Sequence, residues 1–236
     1  MTDCLLCHNT LTPCFQFSDI FLSRKPRETV CPDCWVKFEV ISDRHCQVCY
    51  KPDSDDICRD CKAITDPILH QAIFHYNDFA KNFFQNYKFQ GDFRLRSAFD
   101  HVLTSSLKGQ TLVPVPVSPE RLQSRGFNQV TGFLSSAKLP YLERLTKEET
   151  RHQSHKNRAE RLASENPFHL KKNVTIPEHV VLVDDIFTTG TTLKNGASIL
   201  KNAGCPMSFE LTLSPCSLRA SPMISRAPSI NIKLFL

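Results

Sequence analysis

Val180-Val-Leu-Val-Asp-Asp-Ile-Phe-Thr-Thr-Gly-Thr-Thr-Leu193 is the stretch that decides how this chain folds. His179–Asp185, four apolar residues ending in two acids, reads as a strand buried on both faces, the pattern of a parallel sheet. The strand delivers Asp184 and Asp185 to the carboxyl edge of the sheet, where open α/β folds bind ligands. Thr188, Thr189, Gly190, Thr191 and Thr192 then open a helix. Backbone N–H groups and hydroxyls at a helix N-terminus make an anion cradle, and Gly190 permits positive φ or close approach. Two carboxylates ahead of a phosphate cradle suit a ribose phosphate, with the acids on the vicinal hydroxyls and the cradle on the phosphate. A plain strand–turn–helix with a threonine cap is the alternative, but it leaves two adjacent acids without a partner.

Outward from this stretch, Thr191–Ala203 reads as a helix stopped by Gly204, and Met207–Leu213 as a last strand. Upstream, residues 68–76 are β-prone. Asn77 or Asp78 can cap a helix running to about Lys88, with Phe79, Phe83, Phe84 and Tyr87 at helical spacing. A second helix is expected over 94–107, an apolar strand over Thr111–Val117, a helix near 127–137 and a short strand near 141–145. Residues 146–172 are polar and basic and read as a mobile loop leading into a short helix. Strands alternating with helices predict an α/β fold, a mostly parallel sheet flanked by helices. The tail 214–236 is rich in Ser and Pro and is expected to be disordered.

Eight of the 11 cysteines form four C-x-x-C pairs: Cys4/Cys7, Cys31/Cys34, Cys46/Cys49 and Cys58/Cys61. No signal peptide is evident, so a cytoplasmic, reducing location is the default and metal binding is favoured over disulfides. Two such knuckles close one tetrahedral site, so one or two structural Zn²⁺ ions are expected. The simplest pairing is Cys4, Cys7, Cys31, Cys34 and then Cys46, Cys49, Cys58, Cys61; an interleaved pairing remains open. Trp35, next to Cys34, is expected beneath its knuckle, and Cys14, Cys205 and Cys216 read as incidental thiols. The chain is 41% hydrophobic and 22% charged, which excludes a wholly disordered protein, and no apolar run approaches the roughly 18–20 residues of a membrane span. Residues 1–65 hold 8 Lys and Arg against 10 Asp and Glu, whereas 66–236 hold 21 against 14. Attraction to anions therefore belongs to the larger part.

The strand, acid pair and T-T-G-T-T loop resemble the phosphoribosyl diphosphate (PRPP) signature of type I phosphoribosyltransferases. Val113-Pro-Val-Pro116 looks like the turn that faces pyrophosphate in that fold, and 146–157 lie where it carries its hood. Tyr87-Lys-Phe-Gln-Gly-Asp92, Arg121-Leu-Gln-Ser-Arg-Gly-Phe-Asn-Gln129, Asn157-Arg-Ala-Glu-Arg-Leu162 and Asn166-Pro-Phe168, with the N-terminal C-L-L-C, narrow the resemblance to the ComF competence family. It covers roughly residues 1–213. It implies a double C-x-x-C zinc module (1–65), a phosphoribosyltransferase-like domain (66–213) and the tail. It also implies PRPP binding with Mg²⁺, handling of imported single-stranded DNA in natural transformation, a helicase partner from the ComF operon, and peripheral association with the inner-membrane uptake machinery. The family's last strand runs into a terminal Arg, whereas here Leu211-Thr-Leu-Ser214 leads into Pro215.

Lys88, Arg121, Arg125, Arg151, Lys156, Arg158 and Arg161 can neutralise phosphates of DNA or, for Arg121, Arg125, Arg158 and Arg161, pyrophosphate. Phe89 and Phe127 sit beside such charges and can stack on bases, although core packing is the more ordinary role for each. His152 and His155 read as exposed loop histidines. An active phosphoribosyltransferase with an unidentified acceptor is the second reading, and a zinc-stapled adaptor with an inert pocket the third. No base-recognition pocket can be assigned from the residues alone.

Overall fold

The computed structural model describes residues 2–11, 29–41, 44–51, 54, 56–62, 69–149, 166–187, 190–205 and 207–215. In chain order the elements are β1 (Thr2–Asp3), β2 (Thr10–Leu11), α1 (Pro32–Val36), α2 (Arg59–Lys62), β3 (His70–Ala72) and α3 (Asp78–Phe89). A 3-10 turn (Phe93–Phe99) leads into α4 (Asp100–Leu107), followed by β4 (Leu112–Pro114), α5 (Pro119–Arg125) and α6 (Gln129–Ser136). The chain continues through β5 (Leu145–Lys147), β6 (Phe168–Leu170), β7 (His179–Phe187), α7 (Thr191–Asn202) and β8 (Met207–Pro215).

The central sheet has the order β3-β8-β7-β4, and every pairing in it is parallel. The expected mostly parallel sheet with flanking helices is therefore present. β7 shows why its sequence has no polar alternation. Val180 and Leu182 face a core with Leu193, Ala197 and Leu200 of α7, while Val181 and Val183 face the opposite core. That second core is aromatic: Phe74, just after β3, meets Phe83, Phe84 and Tyr87 of α3, Phe99 of the 3-10 turn and Phe133 of α6. Phe83 is 3% exposed and touches five rings, those of Phe38, Phe84, Tyr87, Phe99 and Phe133 among them. Phe83→Ala is expected to cost about 3–5 kcal/mol, read as a lowered denaturation midpoint.

Several boundaries differ from the sequence reading. The helix expected over 94–107 is a 3-10 turn joined to α4. Helix α5 was not foreseen. Tyr141 makes only an isolated bridge to Leu112, and the short strand lies at Leu145–Lys147, antiparallel to Phe168–Leu170. β7 and β8 each run two residues further than expected, with Phe187 paired to Pro215. Asn77 caps α3 as anticipated, its side chain accepting from Ala80 N at 2.9 Å. The described end of the segment expected to lead into a short helix, 166–172, carries strand β6 instead of a helix, while 150–165, His152 and His155, Cys14, Cys216 and the tail beyond Pro215 lie outside the described residues.

The cysteine module is anchored by aromatic residues. Phe38 is fully buried among Phe74, Phe79, Phe83 and Phe99. Trp35 does not simply lie under its knuckle. It packs on Phe38 and Phe99, at centroid distances of 5.6 and 5.9 Å, and so joins the first knuckle pair to the aromatic core.

Candidate functional site

Asp184 and Asp185 sit at the carboxyl end of the sheet, 8% and 5% exposed. Asp184 Oδ1 accepts from Asp185 N at 2.9 Å, and Asp185 Oδ1 accepts from Ile186 N at 2.8 Å. The Lys88 ammonium lies 2.5 Å from Asp185 Oδ2 without hydrogen-bond alignment. Burial, then the charge of Asp185, pushes the Asp184 carboxyl up to about 7. After β7, Gly190 sits at φ +71° as the N-cap of α7, and Thr191 and Thr192 form its first turn. A Cβ at Gly190 would lie 2.9 Å from the Phe187 ring, so both the dihedral and the close approach require glycine. Thr188 and Thr189 lie outside the described residues.

Beside Asp185 opens a cleft of about 500 Å³ lined by Tyr76, Phe84, Lys88, Phe89, Arg121, Ser124, Arg125 and Ile186, with Gln85 at its edge. The structure thus brings Arg121 and Arg125 together near the acid pair. Arg158 and Arg161 lie outside the described residues, as do Arg151 and Lys156. Phe127 packs on Tyr87 and Phe93 against the core, as the plain reading held. Phe89 does the opposite of that reading: it is 73% exposed, with the Arg125 guanidinium over its ring at 5.2 Å.

The Arg-Gly-Phe-Asn-Gln run builds this wall. Gly126, at φ +78°, ends α5. Asn128 caps α6 and donates from Nδ2 to Val115 O at 3.0 Å, tying the helix to the Val-Pro turn. Gln129 O accepts from the buried Tyr87 hydroxyl at 3.0 Å, and its side chain accepts from Arg125 Nη1 at 3.1 Å. Asn166 donates to Asn195 O and Ser198 Oγ, fixing the Asn-Pro-Phe run on α7.

Lys147 was not foreseen. It is half-buried on β5, over the Phe168 ring at 5.0 Å. Burial and the neighbouring charge of Arg121 hold its ammonium below the usual lysine range, and the same two causes lower Arg125. Three cations crowded this way are primed for a multivalent anion.

Cys4, Cys7, Cys31 and Cys34 bring their sulfurs within 4.8 Å of one another, and so do Cys46, Cys49, Cys58 and Cys61. This is the simple pairing, and the interleaved one is excluded. Tetrahedral coordination with bonds of about 2.3 Å gives S···S edges of about 3.8 Å. The Cys7–Cys31 and Cys49–Cys58 distances, 3.6 and 3.8 Å, match it. Burial opposes the Cys4 thiolate, yet N–H donors from Cys31 and Leu6 draw it down to about 6. Burial and neighbouring sulfurs push Cys34 up. Each set could hold one metal ion, and an all-thiolate donor set fits zinc.

His70 lies behind the site, 2% exposed. Nε2 is 2.8 Å from Thr212 Oγ1, Nδ1 is 3.4 Å from Cys49 O, and the ring stacks on Phe187 at 4.1 Å. Burial pushes His70 down to about 4, so the imidazole is neutral. The carbonyl can only accept, so the proton sits on Nδ1 and the Thr212 hydroxyl donates to Nε2. Nothing about a lone histidine in a β-prone run signals this.

A parallel sheet ending in an acid pair and a glycine turn, preceded by two four-cysteine sets, defines an α/β protein with a cysteine-rich N-terminal module. Comparison with known proteins narrows this. The chain is 42% identical over 207 residues to competence protein ComFC of Streptococcus pneumoniae (strain ATCC BAA-255 / R6), covering 85% of this chain and 94% of that protein. It is 34% identical over 215 residues to competence protein ComFC of Bacillus subtilis (strain 168), covering 85% and 89%. It belongs to the ComFC family of competence proteins. No family model matches. Similar solved structures include the allosteric regulatory enzyme of purine biosynthesis (TM-score 0.33, 19% identity, 50% of this chain and 26% of that one). Another is a hypoxanthine phosphoribosyltransferase from Staphylococcus aureus (TM-score 0.34, 16% identity, 61% and 70%). Among the described residues, no helix is long and apolar enough to cross a membrane.

Proposed function

We propose that this protein serves natural transformation from the cytoplasmic side, handling imported single-stranded DNA and holding PRPP beside it. The observation that carries this reading is the cationic, aromatic cleft opening next to the buried acid pair. Asp184 and Asp185 hold the ribose hydroxyls, and the Thr188–Thr192 turn holds the 5′-phosphate. Arg121, Arg125 and Lys147 neutralise pyrophosphate or DNA phosphates. Mg²⁺ arriving with PRPP would supply charge to its pyrophosphate, facing the Asp184–Asp185 pair. The cysteine sets hold structural Zn²⁺. The partners proposed are single-stranded DNA, the helicase of the ComF operon and, peripherally, the membrane uptake machinery.

Transformation frequency with a resistance marker tests this. The strains carry wild type, a deletion, or Asp184→Ala/Asp185→Ala as the sole copy. The deletion and the double variant are both expected to be defective at normal protein levels. A deletion that transforms normally ends the competence reading, and full rescue by the double variant makes the pocket irrelevant to uptake.

Phe89 gives a separate prediction. Its free ring face beside Arg125 is a stacking platform, and such a contact contributes about 1–3 kcal/mol per base. Phe89→Ala should therefore weaken binding of a fluorescent oligo-dT by fivefold to about a hundredfold in anisotropy titrations. Unchanged affinity would remove the cleft from the DNA path. One observation favours the enzyme reading: the cleft is large enough for a small acceptor against Ile186. Release of pyrophosphate with a defined acceptor is its test.

A further inference from the structure

We infer that His70 couples the second cysteine set to the phosphate-binding turn, so that metal at Cys46, Cys49, Cys58 and Cys61 tightens PRPP binding and PRPP retains that metal. The inference rests on the PRPP reading of the turn. Its physical basis is a chain of contacts, each given by the structure.

Cys49 is both a member of the metal set and the source of the carbonyl that accepts from His70 Nδ1. The same knuckle holds the backbone of His70, whose N–H donates to Val48 O at 2.9 Å. On its far side the imidazole reaches the two parts of the ribose phosphate site. Its ring stacks at 26° on Phe187, the last residue of β7, whose own ring underlies Gly190. Nε2 is bonded to Thr212, which lies directly opposite Asp184 in the β7–β8 register. One side chain therefore braces the floor of the turn and the strand beside the acid pair.

A metal ion fixes the four sulfurs and with them the Cys49 carbonyl. Without it, only Val48 and Ile57 pack against the four cysteines among the described residues, and the knuckle opens. His70 then has a buried N–H with no acceptor, a state costly enough to make the ring move. Phe187 loses its stacking partner, and the turn loses its floor. The coupling is reciprocal by thermodynamic necessity, and couplings of this kind change affinity by about 5–150-fold. A histidine that merely fills the core would alter stability equally with or without PRPP. It would not link the two ligands.

The test uses the full chain loaded with zinc. Zinc release to the chromophoric chelator pyridylazoresorcinol is followed with and without saturating PRPP and Mg²⁺, and PRPP affinity is measured by calorimetry. One of two release phases is expected to slow at least fivefold with PRPP, and that phase should be absent in Cys58→Ser. PRPP should bind Cys58→Ser at least fivefold more weakly than wild type. In His70→Gln both phases should persist while PRPP no longer changes either. PRPP binding to wild type with no effect on zinc release overturns the coupling, even if His70→Gln fails to fold. Failure of wild type to bind PRPP overturns the pocket reading first and this inference with it.

Discussion

Asp184→Asn is expected to stabilise the protein above neutral pH while abolishing PRPP binding. The carboxyl is buried, and its pKa stands at about 7, raised by burial first and by Asp185 second. The unfolded value is about 3.9. A carboxyl raised in this way binds its proton more tightly in the folded state. Its favourable contribution is complete below about pH 4 and is lost as pH climbs through 7. Asparagine has the shape of the protonated acid and never ionises. Its advantage over aspartate should be near zero at pH 4, grow through pH 7 and stay flat beyond.

A shift of this size corresponds to about 4 kcal/mol at 1.4 kcal/mol per unit. That figure is an upper bound, because the folded protein relaxes around the ionised carboxylate, so a gain of about 1–3 kcal/mol at pH 8 is the expectation. Thermal unfolding of variant and wild type at pH 5 and pH 8 measures the difference, in which the cysteine titrations cancel. PRPP calorimetry measures the loss, because a ribose hydroxyl needs the charged acceptor. A destabilised variant at pH 8, or one that keeps wild-type affinity, would contradict the account. The cost of burying two adjacent acids is of the sort that functional sites retain at the expense of stability.

What the sequence made legible follows from where strong patterns exist. β7, α3 and α7 were readable because burial on two faces, or on one stripe, writes itself into apolar spacing. The four C-x-x-C knuckles were readable from their spacing, but which knuckles share a site was not, because it depends on how the chain between them folds. Helix α5 was missed for a matching reason: none of its residues is buried, so it carries no apolar stripe. Phe89 was misjudged because its ring sits off the stripe of Phe83, Phe84 and Tyr87, which a residue type alone does not reveal. Lys147 and His70 gain their surroundings from strands far away in sequence, β6 with its Phe168 and β8 with its Thr212. No local signal could place them. The acid pair was legible as the end of a buried strand. The cleft beside it was not, because α3, α5, β7 and the loop at Tyr76 together supply its walls.

Loss of the two metal sites should have the largest effect on stability, and the two should fail differently. Structural zinc contributes on the order of 10–16 kcal/mol apparent per site in small domains. The second set has only Cys46, Val48, Cys58 and Cys61 as its buried core, with Cys49 and Ile57 against it. Among the described residues, only Val48 and Ile57 add apolar packing to the cysteines here, too little to hold the set without a metal. Cys58→Ser is therefore expected to lose one equivalent of zinc and hydrogen-exchange protection across 44–62. The Trp35 emission should not change. The first set is continuous with the aromatic core, since Trp35 and Phe38 follow directly on Cys34 and pack against Phe99. Cys34→Ser should lose one zinc, shift the emission of Trp35, the only tryptophan in the chain, and lower the denaturation midpoint further than Cys58→Ser. Metal analysis, tryptophan fluorescence and hydrogen exchange on the same samples separate the two cases. If Cys58→Ser shifts Trp35 as much as Cys34→Ser does, the sets act as one folding unit and the asymmetry drawn from their cores is wrong. If neither variant loses zinc, thiolate clustering here serves some other purpose than metal binding. The geometry weighs against that outcome, because sulfurs 3.6 and 3.8 Å apart across separate knuckles match the edges of a metal-centred tetrahedron.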